Sequence, residues 1–310
     1  MKEEKVTSKN KMRFGFKRQT KVDSVIDIVN FTLLLLFTVA ILIPFLVEFL
    51  ISVCPPEIWV QRNITLGQIF ENMTFKYYAM TMAPGSHIYK AFGVSIFRVI
   101  VGGGLAMLVT VLTAYPLSKR YLPGGKPIMY LFYFTMLFSG GMIPTFLVVR
   151  GLGLIDSIWS LILPCALNVY YLIIMRTFFK SIPAEIEESA RIDGCNDYGI
   201  LFRIVLPLSI PAIAAIGLFY TVGYWNSFLD AVLYITNRDL WPVQLLLRES
   251  LMADLMSELS TSAYGESAQS ISMSSMKAAM VMVTAIPVII LYPFVQRHFA
   301  AGIMVGSLKG

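Results

Sequence analysis

The chain has 310 residues, 56% of them hydrophobic and only 14% charged, with a mean hydropathy of +0.69 and a formal net charge of +6. Soluble domains carry roughly 45–50% apolar and roughly 25% charged residues, so a water-soluble globule of this length could not cover its apolar surface. Disorder is excluded on the same figures, because it requires low hydrophobicity and high charge; what remains is a polytopic membrane protein, whose modest charge acts through its placement rather than as a nucleic-acid footprint.

The N-terminal segment, residues 1–25, is basic (Lys2, Lys5, Lys9, Lys11, Arg13, Lys17, Arg18, Lys21) and leads into an apolar run over 26–53 that contains Pro44 and Glu48. A cleavable leader has an apolar stretch of roughly 7–15 residues, whereas this run meets the roughly 20 needed to span a bilayer, so it reads as a retained first helix. Five further spans are predicted: 92–116, with Gly102-Gly103-Gly104; 127–149; 157–178, with Pro164; 208–230; and 276–296, with Pro287 and Pro293. Gly and Pro are tolerated in membrane helices, and small residues permit close helix contact. The fold class is therefore all-α, a six-helix transmembrane domain over 26–296 followed by a tail, 297–310. Gly124-Gly125-Lys126-Pro127 lacks the spacing of a phosphate-binding loop and is read as a turn.

Orientation follows from Lys and Arg in the connecting segments. With the N-terminus inside, 17 basic residues fall on the inner side. The outer side holds 8: Arg62, Lys76, Lys90, Arg98, Arg150, Arg238, Arg248 and Lys277. Both termini are thus expected in the cytoplasm and the protein in the cell membrane. The outer segments 54–91 and 231–275 exceed plain turns and serve either as docking surfaces for an extracellular partner or as lid or spacer. Cys54, Cys165 and Cys195 are too scattered for a disulfide framework or a metal site and read as apolar filler. His87 and His298 fall on opposite sides, and adjacent Glu187 and Glu188 diverge around a helix, so no catalytic dyad is predicted.

One inner loop, 181–207, stands apart. Pro183 suits an early helical position, and Glu185, Glu187 and Glu188 lie near the positive end of the helix dipole. Gly194 is placed to end that helix, and Asn196 or Asp197 to cap a second one running through Phe202 to Leu206. The predicted product is a rigid helix–turn–helix elbow; the competing reading is an amphipathic loop lying on the lipid surface. The ordered set Glu188-Ser189-Ala190, Gly194, Ile204-Val205-Leu206-Pro207 resembles the EAA loop of ABC importer permeases, with Ser189 replacing the central Ala. Trp225-Asn226-Ser227-Phe228, Trp241-Pro242-Val243-Gln244 and the stretch from Gln296-Arg297-His298-Phe299 to Gly310 are similar to maltose-type carbohydrate permeases, most of all the complex-oligosaccharide subgroup of Gram-positive bacteria.

That resemblance implies a homologous second permease subunit forming a heterodimer, two cytoplasmic ATPase subunits and an extracellular sugar-binding lipoprotein. ATP and Mg would belong to the ATPase subunits; no cofactor or metal is expected on this chain, which is not expected to be an enzyme. Glu188, Ser189, Ala190, Asp193, Gly194, Ile204, Leu206 and Pro207 would seat in the ATPase, and its closure would rock the adjoining helices in rigid-body alternating access. The tail would insert between the ATPase subunits or simply fray.

Within the fifth span, Tyr224, Trp225, Asn226 and Asp230 are candidates for a substrate path or gate. Polar groups at membrane depth default to function, and an aromatic plate beside amide and carboxylate suits a sugar. The competing reading has Trp225 and Asn226 knitting helices together and Asp230 at the outer interface. An importer for a non-sugar solute, an ion-driven secondary transporter with inverted repeats and mid-membrane carboxylates, and an intramembrane enzyme are the rival functions.

Overall fold

The computed structural model describes residues 21–55, 58, 66–261, 274–291 and 293, which are helical or in turns, with no strand among them. The expectations for the basic segment up to residue 20, the outer-loop residues 59–65 and 262–273, and the tail lie outside the described residues. The chain divides into two compact units, one through Glu48 and one from Phe49. The first unit is the body of helix α1 (Lys21–Val53), whose side chains from Val25 to Val47 are all exposed. A helix that is apolar on every face and buries none of them is a rod whose solvent is lipid.

The second unit begins with the last turn of α1, where Ser52 and Val53 are buried and Ser52 Oγ shares a 2.6 Å hydrogen bond with Tyr78 Oη. Two short helices follow, α2 (Leu66–Glu71) and α3 (Lys76–Thr81). Ser86 then caps α4 (His87–Ser118) by accepting from the Tyr89 amide at 3.2 Å. This 32-residue span contains a π-helical turn at Arg98–Gly102. Gly102 lies there because α4 meets the Tyr224 ring so closely that an added Cβ would sit 3.1 Å from two ring carbons.

The third predicted span is broken. Helices α5 (Gly125–Leu137) and α6 (Met142–Gly151) meet at 114°, and the Gly140-Gly141 pair lies at the break. The fourth opens as two 3₁₀ turns, Ile158–Leu161 and Leu163–Cys165, the second holding Pro164. It then bends by 48° into α7 (Val169–Ser181), which Asn168 caps by accepting from the Tyr170 and Tyr171 amides. The inner loop forms α8 (Ala184–Ile192) and α9 (Asp197–Leu208), the latter with a π turn at Leu201–Val205. An 82° bend leads into α10 (Ile210–Asn226).

The fifth span therefore stops at Asn226. Asp230, expected inside it, lies instead in a separate short helix, α11 (Leu229–Tyr234). After a 3₁₀ turn at Arg238–Leu240 come α12 (Val243–Thr261) and α13 (Ser274–Leu291). Counting a bent pair as one span, the described helices supply up to six crossings. Arg98 and Lys277, counted with the outer segments, lie within α4 and α13, and Lys90 and Arg150 of the same count lie within α4 and α6.

The largest core joins α4, α7, α9 and α10 through Ala106, Ala114, Leu172, Met175, Ile200, Val205 and Ile216, all 1% exposed or less. Because Ile200, Leu201 and Val205 belong to it, the elbow is continuous with the span packing rather than appended to it.

Candidate functional site: an exposed elbow and a buried ion pair

The elbow is built as its sequence dictates. Helix α8 ends with the Gly194 amide donating to Arg191 O at 3.0 Å and the Cys195 amide donating to Ala190 O at 2.9 Å, with Gly194 at φ +84°. That bond pair is a Schellman cap, and its left-handed residue favours Gly. Two residues later Asn196 Oδ1 accepts from the Gly199 amide at 2.8 Å and starts α9. Arg191 donates to Asp197 Oδ1 at 2.7 Å and to the Tyr121 hydroxyl, with its guanidinium 4.8 Å from the Tyr121 ring centre, so one side chain ties both helices to the turn that follows α4.

A second tie is Glu187, which pairs through both carboxylate oxygens with Lys119; both side chains are nearly buried, and the ammonium lies 4.1 Å from the Tyr115 ring centre. Glu187 thus faces inward while its neighbour Glu188 is exposed. Of the expected coupling residues, Glu188, Ser189, Asp193, Gly194 and Pro207 are exposed, Ala190 is buried, and Ile204 and Leu206 are half-buried against the core. Ser189 Oγ donates to Glu185 O at 2.8 Å and so keeps its hydroxyl on its own helix. The outer surface of α8 presents Glu185, Glu188, Ser189 and Ile192, the last 87% exposed. An Ile so exposed, rimmed by acids and standing on a doubly tied helix, forms a rigid knob. Beside the elbow, a cavity of about 420 Å³ lies between α4 and α9, lined by Tyr115, Lys119, Tyr121, Asp197 and Tyr198.

The second constellation centres on Arg98, a residue the hydropathy reading placed among loop charges. Its side chain is 1% exposed. Nε donates to Leu161 O at 3.2 Å, Nη1 to Ser227 O at 3.1 Å, and Nη2 pairs with Asp230 Oδ2. Asp230 Oδ1 accepts from Ser227 Oγ at 2.9 Å and from the Ala231 amide at 3.0 Å. The end of α10 and the 3₁₀ turn of the fourth span both leave carbonyls without helical partners, which is costly in lipid. Arg98 satisfies one from each and neutralises the carboxylate between them.

The expected substrate-path residues divide accordingly. Tyr224 is buried, donating to Ile162 O at 3.2 Å with the Arg98 guanidinium 5.4 Å from its ring centre. Trp225 is buried against Phe92 and donates to Thr284 O at 3.2 Å. Asp230 is committed to Arg98. These three hold elements together; Asn226 alone of the four is exposed, accepting from Gln244 Nε2 at 3.4 Å. Outside the spans, Asp156 accepts from the Asn237 and Thr236 amides, which hold its carboxyl below the usual carboxylate range.

No family model matches the chain. It is 45% identical over 287 residues, 92% of this chain and 98% of the relative, to the polygalacturonan/rhamnogalacturonan transport system permease protein YtcP of Bacillus subtilis (strain 168). The chain belongs to the ABC transport permease family. Protein LplC of the same organism is 40% identical, with 94% and 97% of the two chains covered. Among solved structures, a bacterial ABC transporter involved in the import of the acidic polysaccharide alginate superposes with a TM-score of 0.79 at 30% identity, covering 91% of this chain and 99% of that one. As an ABC permease this protein is an integral membrane transport subunit, and the all-helical, multi-span fold accords with that.

Proposed function

We propose that this permease is the membrane subunit of an ATP-driven oligosaccharide importer, and that residues 181–207 transmit the motion of separate ATPase subunits. The observation that carries the reading is the knob on α8: Ile192 and Glu188 stand exposed while Glu187 and Arg191 fasten the same helix to Lys119 and Tyr121, just past the end of α4. A load applied to the exposed face must therefore pass into the spans rather than bend the loop. ATP and Mg belong to the ATPase partners, and both termini face the cytoplasm, where the basic residues concentrate. A homologous second permease and an extracellular sugar-binding lipoprotein complete the assembly. Oligosaccharide cargo is supported by the relatives, named for polygalacturonan/rhamnogalacturonan, arabinooligosaccharides and diacetylchitobiose.

Gly194→Trp tests the coupling role. No atom lies within 4 Å of a Cβ built on Gly194, so the root of the new side chain stands in open space. It does meet backbone strain of about 1–2 kcal/mol and would intrude on a docking partner. Uptake is expected to fall below a tenth of wild type with the subunit still in the membrane, while Gly194→Ala, which carries the strain without the bulk, retains most of it. Equal uptake by the Trp variant and wild type would remove the coupling role.

A further inference from the structure

The break after Asn226 is held from behind by Arg98, through Ser227 O, and its two flanking side chains meet one face of α12. Asn226 Oδ1 accepts from Gln244 Nε2 at 3.4 Å, and one helical turn on, the Arg248 guanidinium lies 5.0 Å from the Phe228 ring centre. Residues four apart share a helix face, so amides and guanidinium lie side by side. The carboxylates that flank this cluster in sequence are both taken, Asp230 by Arg98 and Glu249 by Arg238. Arg248 makes no ion pair among the described residues, and it is exposed.

A guanidinium lying on an aromatic face keeps its orientation and retains its planar fork of N–H donors for a carboxylate. The Asn226 amide donors and the Gln244 carbonyl match sugar hydroxyls. We propose that Arg248, held on Phe228 and flanked by Asn226 and Gln244, forms a contact site for carboxylate-bearing sugars, making the cargo acidic oligosaccharides. This rests on the importer reading above and adds the chemical class of the cargo. Phe228 is then a positioning residue, and Arg248 supplies the charge.

The test is uptake by host cells carrying chromosomal substitutions, normalised to subunit in the membrane. The probes are two labelled uronate trimers (trigalacturonate and an alginate trimer), their methyl esters and neutral maltotriose. Wild-type cells are expected to take up at least one uronate trimer ten or more times faster than its ester. Arg248→Gln is expected to lower the maximal rate for that trimer tenfold or more, and Arg248→Lys, which keeps the charge but loses the planar fork, to lower it by a clearly smaller factor. Equal wild-type rates for acid and ester, or equal losses in the Gln and Lys variants, overturn the proposal, because a packing role would not follow charge. Uptake of maltotriose alone overturns the acidic cargo and leaves the importer reading standing; uptake of none of the probes overturns the acidic cargo and counts against the oligosaccharide reading as well.

Discussion

At the scale of single residues, Arg98 shows how a buried charge can be structural. Its guanidinium serves two carbonyls and one carboxylate, so Arg98→Met leaves Asp230 facing an apolar interior with nothing to neutralise it. Removing one partner of such a pair costs about 3–5 kcal/mol. The expected outcome is a lowered thermal midpoint for the purified complex, recovered in large part when Asp230→Asn is added, because the uncompensated charge is then gone. Trp225→Ala is expected to behave as a core truncation, losing about 3–5 kcal/mol, and fluorescence-monitored melting would show it. The sequence made Tyr224, Trp225 and Asp230 conspicuous as polar or aromatic groups at membrane depth, but one chain of letters does not show which of them already has a partner. Arg98 carried the same signal, an ionisable side chain within an apolar run, and was hidden because a single Arg near a span end reads equally well as a loop charge.

At the scale of elements, the elbow was legible almost to the residue, because its signals are local. Gly194 ends α8 and Asn196 starts α9, each through bonds to backbone within five residues. The Lys119–Glu187 pair was not legible, since the two are 68 positions apart and meet only when α4 and α8 pack. That pair predicts a partial uncoupling. Lys119→Met should loosen α8 from α4, leaving ATPase activity of the assembled complex while sugar moved per ATP hydrolysed falls several-fold; proteoliposome transport measured beside phosphate release checks it. Ile192→Asp should act one step earlier, removing the knob from its seat, and the ATPase subunits should then fail to co-purify. The breaks in the third, fourth and fifth spans escaped hydropathy for a related reason. A window of apolar residues reports the solvent an element lies in and not its straightness, and turns of 114° and 48° leave the average unchanged.

At the scale of the whole molecule, the all-helical, multi-span class was readable because lipid imposes it on composition. Single cysteines at Ile192 or Tyr198, both exposed, should react with an impermeant thiol reagent only after the membrane is opened. One at Leu152, 68% exposed on the other side of the fourth span, should react in intact cells. The reverse pattern would invert the topology. A last consequence concerns the π turns at Arg98–Gly102 and Leu201–Val205. Such a turn is an ordinary helical turn with one surplus residue accommodated as a swelling. Shortening α4 by one residue elsewhere would rotate everything beyond the cut by about 100°, carrying its buried stripe away from its neighbours. Shortening it within that swelling restores regular winding and leaves both halves in phase, so these two places are where a lineage could gain or shed a residue without scrambling the bundle.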